Sequence, residues 1–346
     1  MIQKITLCLS ILLFTISLNG QSWTDFPQQD EELGLVDWYR SYPDALAKAK
    51  AIGKPIFILF QEVPGCSTCK NYGNNLLTHP HIVEAIETYF VPLAIHNNKG
   101  GDDGEILRKF GEPSWNNPVA RIINSKSEKD ITPRLNGRYD MESLVSTIKN
   151  GILASNNLVP EYLNLLYEEH SAKDVRETHF AMYCFWSGEK NLGKLDGVIA
   201  TKAGFMNGAE VVKIKYDAKK LEEEKLIAFA ANKQCADGVF SNDQREISAA
   251  KKLKINTKKK GVFRPDKEPK YYTFNSEYKY LPMTSLQALK VNTALSNKLS
   301  PDEYLSPRQI ELLILIKSKK VKQQMAIDQD FAMTWNSLIL QSQKSD

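Results

Sequence analysis

The chain has 346 residues, 42% of them hydrophobic and 25% charged. That balance belongs to a folded protein too long for one core, so two domains are expected. A net charge of +4 is too small for a dedicated nucleic-acid binder, which carries a concentrated basic face.

The chain begins MIQKITLCLSILLFTISLNGQ. Lys4 gives a positive start, residues 5–18 are apolar, and Asn19-Gly20 follow. The apolar run falls short of the roughly 20 residues that span a bilayer. It reads as a secretory signal over residues 1–20, which makes the protein exported, periplasmic or extracellular, with no stable membrane span once the signal is removed. Of five cysteines, Cys8 lies in that run and Cys66, Cys69, Cys184 and Cys235 remain. Four thiols are too few for a disulfide scaffold of this size, so reactive roles gain weight.

In residues 21–155, SYPDALAKAKAIGK predicts a helix stopped by Gly53. PIFILFQ is a continuous apolar run of strand length, suited to a buried central strand. HPHIVEAIETYF predicts a helix, FVPLAI a second buried strand, GEILRKFG a short helix and NPVARII a strand. DMESLVSTIKNGIL is an amphipathic helix opened by Asp140. YLNLLYEEH is a bridging helix. Residues 172–255 then run ETHFAMYC (strand), FWSGEKNLGKL (helix), GVIATKAGF and GAEVVKIKYD (strands) and AKKLEEEKLIAFAANK (helix). This β-α-β-β-α order is the split arrangement of ferredoxin-like α+β domains. The basic stretch 251–270 reads as a solvated linker. Residues 256–346 form a C-terminal helical region, with helices at TSLQALKVNTALSNKL and SPRQIELLILIK, and no chemistry assigned to it.

VPGCSTCK places Cys66 and Cys69 three residues apart where a buried strand gives way to a helix. A helix N-terminus carries about half a positive charge and stabilises the thiolate of the first cysteine. The second, one turn on, can resolve a mixed disulfide. A metal clip is the competing reading, but zinc wants four ligands and only His79 and His81 are on hand to join. Inert buried thiols are the third reading. The segment from Trp38 to Ile152 resembles a thioredoxin-like domain. VPGC also resembles exported thioredoxin-like proteins with a VPG-(Cys or selenocysteine)-x-x-(Thr or Cys) motif. The resemblance implies that Cys66 is the reactive position and that Pro118, after Asn117, is a cis-proline facing the disulfide and pairing with substrate backbone. The Trp-Cys-Gly-Pro-Cys of thioredoxin is absent. So is a carboxylate in the preceding strand, and Glu62 lies in the turn.

A second pattern is Cys184-Phe185-Trp186-Ser187-Gly188-Glu189, then Gly197-Val198, residues 204–208 (GFMNG) and residues 209–212 (AEVV). In this order the pieces resemble peptide methionine sulfoxide reductases of the A type, over about residues 178–250. The resemblance implies Cys184 as nucleophile, Glu210 as the acid that protonates the departing oxygen, and Phe185 and Trp186 as the wall holding the substrate's S-methyl group. Cys235 would resolve the resulting sulfenic acid, and Cys66 and Cys69 would supply the internal reducing pair. A tyrosine-bearing loop between Gly208 and Ala209 is missing, so oxygen stabilisation would rest on Glu210 and Asp243.

The leading expectation is an exported thiol oxidoreductase, without cofactor. It would act on oxidised protein or peptide and take electrons from an external thiol donor. Methionine sulfoxide reduction at Cys184 stands beside thiol–disulfide chemistry at Cys66 and Cys69, with the second domain as a binding module. An exported metal carrier is the non-enzymatic alternative.

Overall fold

The computed structural model describes residues 23–115, 118–320 and 323–342. The expected signal over residues 1–20 lies outside the described residues. The first half runs α1 (Tyr42–Ile52), β1 (Ile56–Gln61), α2 (Ser67–Asn75), α3 (Pro80–Tyr89), β2 (Val91–His96), α4 (Gly101–Phe110), β3 (Val119–Ile123), β4 (Leu135–Asn136), α5 (Met141–Ala154) and α6 (Glu161–Ser171). Its strands form a sheet in the order β2-β1-β3-β4, with β1 parallel to β2 and antiparallel to β3.

The apolar run PIFILF becomes the strand buried on both faces. Phe57 and Leu59 join a core with residues of α2, α3, α5 and α6. Ile56, Ile58 and Phe60 point the other way, into a core with α1 and α4. A strand covered on both sides has no polar face to show, which is why its sequence does not alternate. Ser41 caps α1 and Gly53 ends it in the left-handed region. Asp140 accepts the Ser143 N–H at the start of α5.

The second half continues β5 (Val175–Ala181), α7 (Phe185–Leu192), β6 (Val198–Met206), β7 (Ala209–Asp217), α8 (Glu223–Asn232), β8 (Gly238–Phe240), α9 (Gln244–Lys252), β9 (Asn256–Lys258) and β10 (Arg264–Pro265). The sheet order is β10-β6-β7-β5-β8-β9. At its centre β5 pairs antiparallel with β7 on one side and β8 on the other. This is the ferredoxin-like connection expected from the strand order. The basic stretch 251–270 is not simply a solvated linker. It completes α9, adds β9 and β10 to the two edges of the sheet, and ends at the buried Lys270.

The C-terminal region is helical as expected: α10 (Tyr271–Phe274), α11 (Ser285–Ser296), α12 (Pro307–Lys317) and α13 (Phe331–Ser342). It packs on both halves, with α11 against α6, α7 and β6, and α13 against α3. Among the described residues no helix is long and apolar enough to cross a membrane.

The seam between α3 and the C-terminal helices is polar at its heart. His81 is buried, with Nε2 3.0 Å from Gln287 Oε1. Its ring lies against Phe331 and Tyr162. Gln287 in turn donates to Gln309 Oε1 at 2.9 Å. Burial lowers His81 to about 4 and holds His79 well below the ordinary imidazole range. An unfolded histidine takes up its proton near 6.5, so between that pH and about 4 the unfolded chain binds more protons than the folded one. Stability therefore falls as pH drops through this window, by roughly 3 kcal/mol from His81 alone. Urea unfolding is expected to show lower stability at pH 5 than at pH 7. His81→Gln, which keeps a donor for Gln287, should shrink the difference, and an undiminished difference would place the titration elsewhere.

Candidate functional site

Cys66 is the N-cap residue of α2, in an extended conformation at the positive end of that helix. Its side chain is exposed, whereas Cys69, one turn on, is fully buried. The two sulfurs are 3.7 Å apart, both free thiols. Three polar side chains, one from β1 itself and two from more distant segments of the chain, brace the loop between β1 and α2. Gln61, at the buried end of β1, donates from Nε2 to the carbonyls of Glu32 and Cys69. Glu32 is only 2% exposed and accepts the Gly65 N–H at 2.7 Å. Asn98 accepts the Val63 N–H and donates to the Pro64 carbonyl. Gly65 is obligatory here, because a Cβ would stand 2.4 Å from the Glu62 carbonyl and 2.6 Å from Cys69 Cβ. Gly73 does the same for the segment carrying Glu32, which lies so close to α2 that a Cβ would meet the Glu31 carbonyl at 2.0 Å.

The electrostatics divide the two thiols. The Cys69 backbone N–H first, then the Cys69 thiol and Thr68, favour the Cys66 thiolate and lower its pKa below the ordinary cysteine range. Burial, and then the neighbouring Cys66, push Cys69 up to about 12. An exposed sulfur that ionises readily stands beside a protonated buried one, the division of labour of an attacking and a resolving thiol.

The second group forms at the start of α7. Cys184 is that helix's N-cap residue. Glu210, at the start of β7, accepts the Phe185 N–H at 2.9 Å, which anchors a carboxylate on the residue after the thiol. Phe185 packs edge-on to Phe205, and Trp186 stacks on Tyr271 at 3.9 Å between ring centroids. Cys235 is buried, accepts a hydrogen bond from Asn191 at 3.3 Å, and is raised by burial and also by the charge of nearby Cys184. Burial first, then that same charge, raises the Tyr272 hydroxyl. Beneath this group Glu189, fully buried, pairs with Lys270 at 2.7 Å and accepts from Thr201.

The structure thus places Cys184, Phe185 and Trp186 at the start of α7 with Glu210 bonded to Phe185, while Cys235 lies along the body of the same helix, against Asn191 and the Ser187 carbonyl. Asp243 does not join them as an oxygen stabiliser. It caps α9, its carboxylate accepting the Arg245 N–H at 2.8 Å. Pro118 is buried and directly precedes Val119, which pairs with Phe60, so it stands at the end of the sheet where β1 leads into the cysteine loop. The expected cis bond before it involves Asn117, outside the described residues. Glu32, Gln61, Lys270, Tyr271 and Tyr272 went unrecognised as parts of these sites. Nothing local distinguished Glu32 from an ordinary surface acid.

A family profile described as Thioredoxin-like matches residues 37–125. Those residues form a thioredoxin-like domain. A peptide methionine sulfoxide reductase MsrA of Lachnoclostridium phytofermentans is 30% identical over 105 residues, covering 21% of this chain and 63% of the relative. Another MsrA, from Methanococcus maripaludis, is 35% identical over 65 residues, covering 14% and 41%. The chain therefore carries an MsrA-like region and spans less than two thirds of the length of either relative. The 105-residue alignment engages only 21% of this chain, so a sizeable stretch of the relative has no counterpart here. A solved structure of a proposed disulphide-isomerase from Bacteroides thetaiotaomicron is 25% identical, covering 36% of this chain and 97% of its own, with a TM-score of 0.29.

The thiol asymmetry is directly measurable. Iodoacetamide applied to the reduced protein is expected to label Cys66 first, with a pH midpoint below that of an ordinary thiol, and to leave Cys69 unlabelled until the chain unfolds. Peptide mass spectrometry reads both, and equal labelling of the two would contradict the assignment.

Proposed function

We propose that this chain is a thiol oxidoreductase whose primary reaction is thiol–disulfide exchange at Cys66 and Cys69. The observation that carries the reading is the exposed, low-pKa Cys66 sulfur 3.7 Å from the buried sulfur of Cys69. The Cys66 thiolate attacks one sulfur of a substrate disulfide, and the other leaves as a thiolate that takes up a proton. Cys69 then loses its proton and attacks the Cys66 sulfur, releasing the substrate's second thiol. The sulfurs must close from 3.7 Å to about 2.05 Å, the length of a disulfide. An external dithiol reopens the bond.

A second reading has its own support in the Cys184 group. Here the Cys184 thiolate attacks the sulfur of methionine sulfoxide, the S–O bond breaks, and the products are methionine and a sulfenic acid on Cys184. Condensation with the Cys235 thiol expels water and leaves a disulfide, which the Cys66–Cys69 dithiol would reduce while becoming oxidised itself. The aromatic wall of Phe185 and Trp186 suits an S-methyl group, and Glu210 is anchored beside the thiol to deliver a proton. Export, expected from residues 1–20, belongs to the same proposal.

Single-cysteine variants separate the two readings. Insulin reduction with dithiothreitol is expected to fall at least about a hundredfold in Cys66→Ser, and Cys69→Ser should accumulate a mixed disulfide with substrate. Both variants should still reduce a methionine sulfoxide peptide when dithiothreitol is supplied, and Cys184→Ser should not. Full insulin turnover in Cys66→Ser would defeat the first reading, and sulfoxide turnover in Cys184→Ser the second.

A further inference from the structure

The dithiol loop holds a third ligand that thiol exchange does not need. The Glu62 carboxylate, Cys66 Sγ and Cys69 Sγ all lie within 4.8 Å of one another, the one such group found among the described residues. Two thiolates bound to a tetrahedral ion at about 2.3 Å sit roughly 3.7–3.8 Å apart. The observed separation is 3.7 Å, so the reduced loop already has the bite of such an ion, whereas a disulfide requires the sulfurs to approach. The loop is also held in place, by Glu32 on Gly65 and Gln61 on the Cys69 carbonyl. Cys66 is exposed, which gives an ion a path in and leaves a fourth position for water. The histidines that the sequence offered as partners are used elsewhere, His81 buried and His79 half-buried against Phe331.

We propose that reduced Cys66 and Cys69, with Glu62, form a binding site for a thiophilic divalent d10 cation, zinc being the natural occupant, and that the bound ion masks the dithiol. The inference rests on the dithiol reading above only for its consequence, not for the binding itself. Binding transfers no electrons. It displaces the thiol protons, up to two per ion, because a coordinated thiol is deprotonated outright. The sulfur lone pair that would attack a disulfide is then committed to the metal. Two thiolates and a carboxylate around a divalent ion leave a net charge of −1, which an open, solvated site tolerates.

Cadmium is the probe, because its thiolate charge-transfer absorbance counts bound sulfur. The full chain, reduced and freed of reductant under anaerobic conditions, is titrated with Cd2+. Cys66→Ser is expected to bind one equivalent fewer than wild type, and Glu62→Gln to bind that equivalent about tenfold or more weakly. Saturating Zn2+ should slow alkylation of Cys66 at least about tenfold. Undiminished stoichiometry in Cys66→Ser, or wild-type affinity in Glu62→Gln, overturns the proposal. If Glu62→Gln does not fold, the Cys66→Ser count decides alone. Insulin reduction measured in chelator keeps the two readings apart. Activity without a cadmium site removes the metal proposal only, and a cadmium site without activity removes the exchange reading only.

Discussion

The reactivity of the first cysteine pair depends on how one short loop is anchored. Five residues separate the end of β1 from α2, and only the last of them, Cys66, passes its carbonyl into the helix, where the Lys70 N–H bonds it. Side chains brace the rest: buried Glu32, from a segment thirty residues earlier, takes the Gly65 N–H, exposed Asn98 from beyond β2 takes the Val63 N–H and bonds the Pro64 carbonyl, and buried Gln61 ties the Glu32 segment to the Cys69 carbonyl. Burying a carboxylate and an amide is costly unless they find partners; Glu32 takes the loop's Gly65 N–H, and the Gln61 amide NH2 bonds the carbonyls of Glu32 and Cys69 on either side of the loop. The cost is offset by fixing where the chain turns, and so by fixing which sulfur faces solvent and which faces the core. The opposite ionisation of Cys66 and Cys69 follows from that placement.

The same logic, on a larger scale, holds the two sheets in one assembly. The C-terminal helices insert into both halves. Gln287 reaches His81 on α3, and the backbone N–H of Leu286 bonds Glu169 on α6. Lys290 donates to the Gly193 carbonyl just past α7, and Arg308 pairs with Glu87. Apolar residues of α11 are shared with the core of the second sheet, and Phe331 and Trp335 of α13 belong to a third core. A region without reactive groups of its own thereby sets how the two cysteine centres sit in a single body.

Much of this was legible in the sequence, and the part that was not has a common cause. PIFILF announced a strand covered on both faces, because only such a strand lacks polar alternation. The β-α-β-β-α order announced the second sheet's connectivity, because split βαβ units have few other ways to close. The cysteines at strand-to-helix junctions were visible for the same local reason. Glu32 was not, since EEL before the first helix has the look of a solvated acid pair until Gly73 lets it close on α2. Lys270 was hidden among neighbouring lysines, and Tyr271 in a stretch with no periodicity. Each of these acts on a partner more than thirty residues away, and local pattern carries no trace of a contact made at that range.

The Glu189–Lys270 pair has a bearing on modularity. Both groups are buried, one fully and the other nearly so, and a lone charge left there is costly. A gene fragment that ends with the second sheet's last recognisable helix, α9, would strand Glu189 inside the fold and uncover the face of Trp186 that Tyr271 shields. Recombination or truncation at that apparent seam is therefore disfavoured. The chain after it travels with the reductase-like part as a physical unit, whatever its own ancestry.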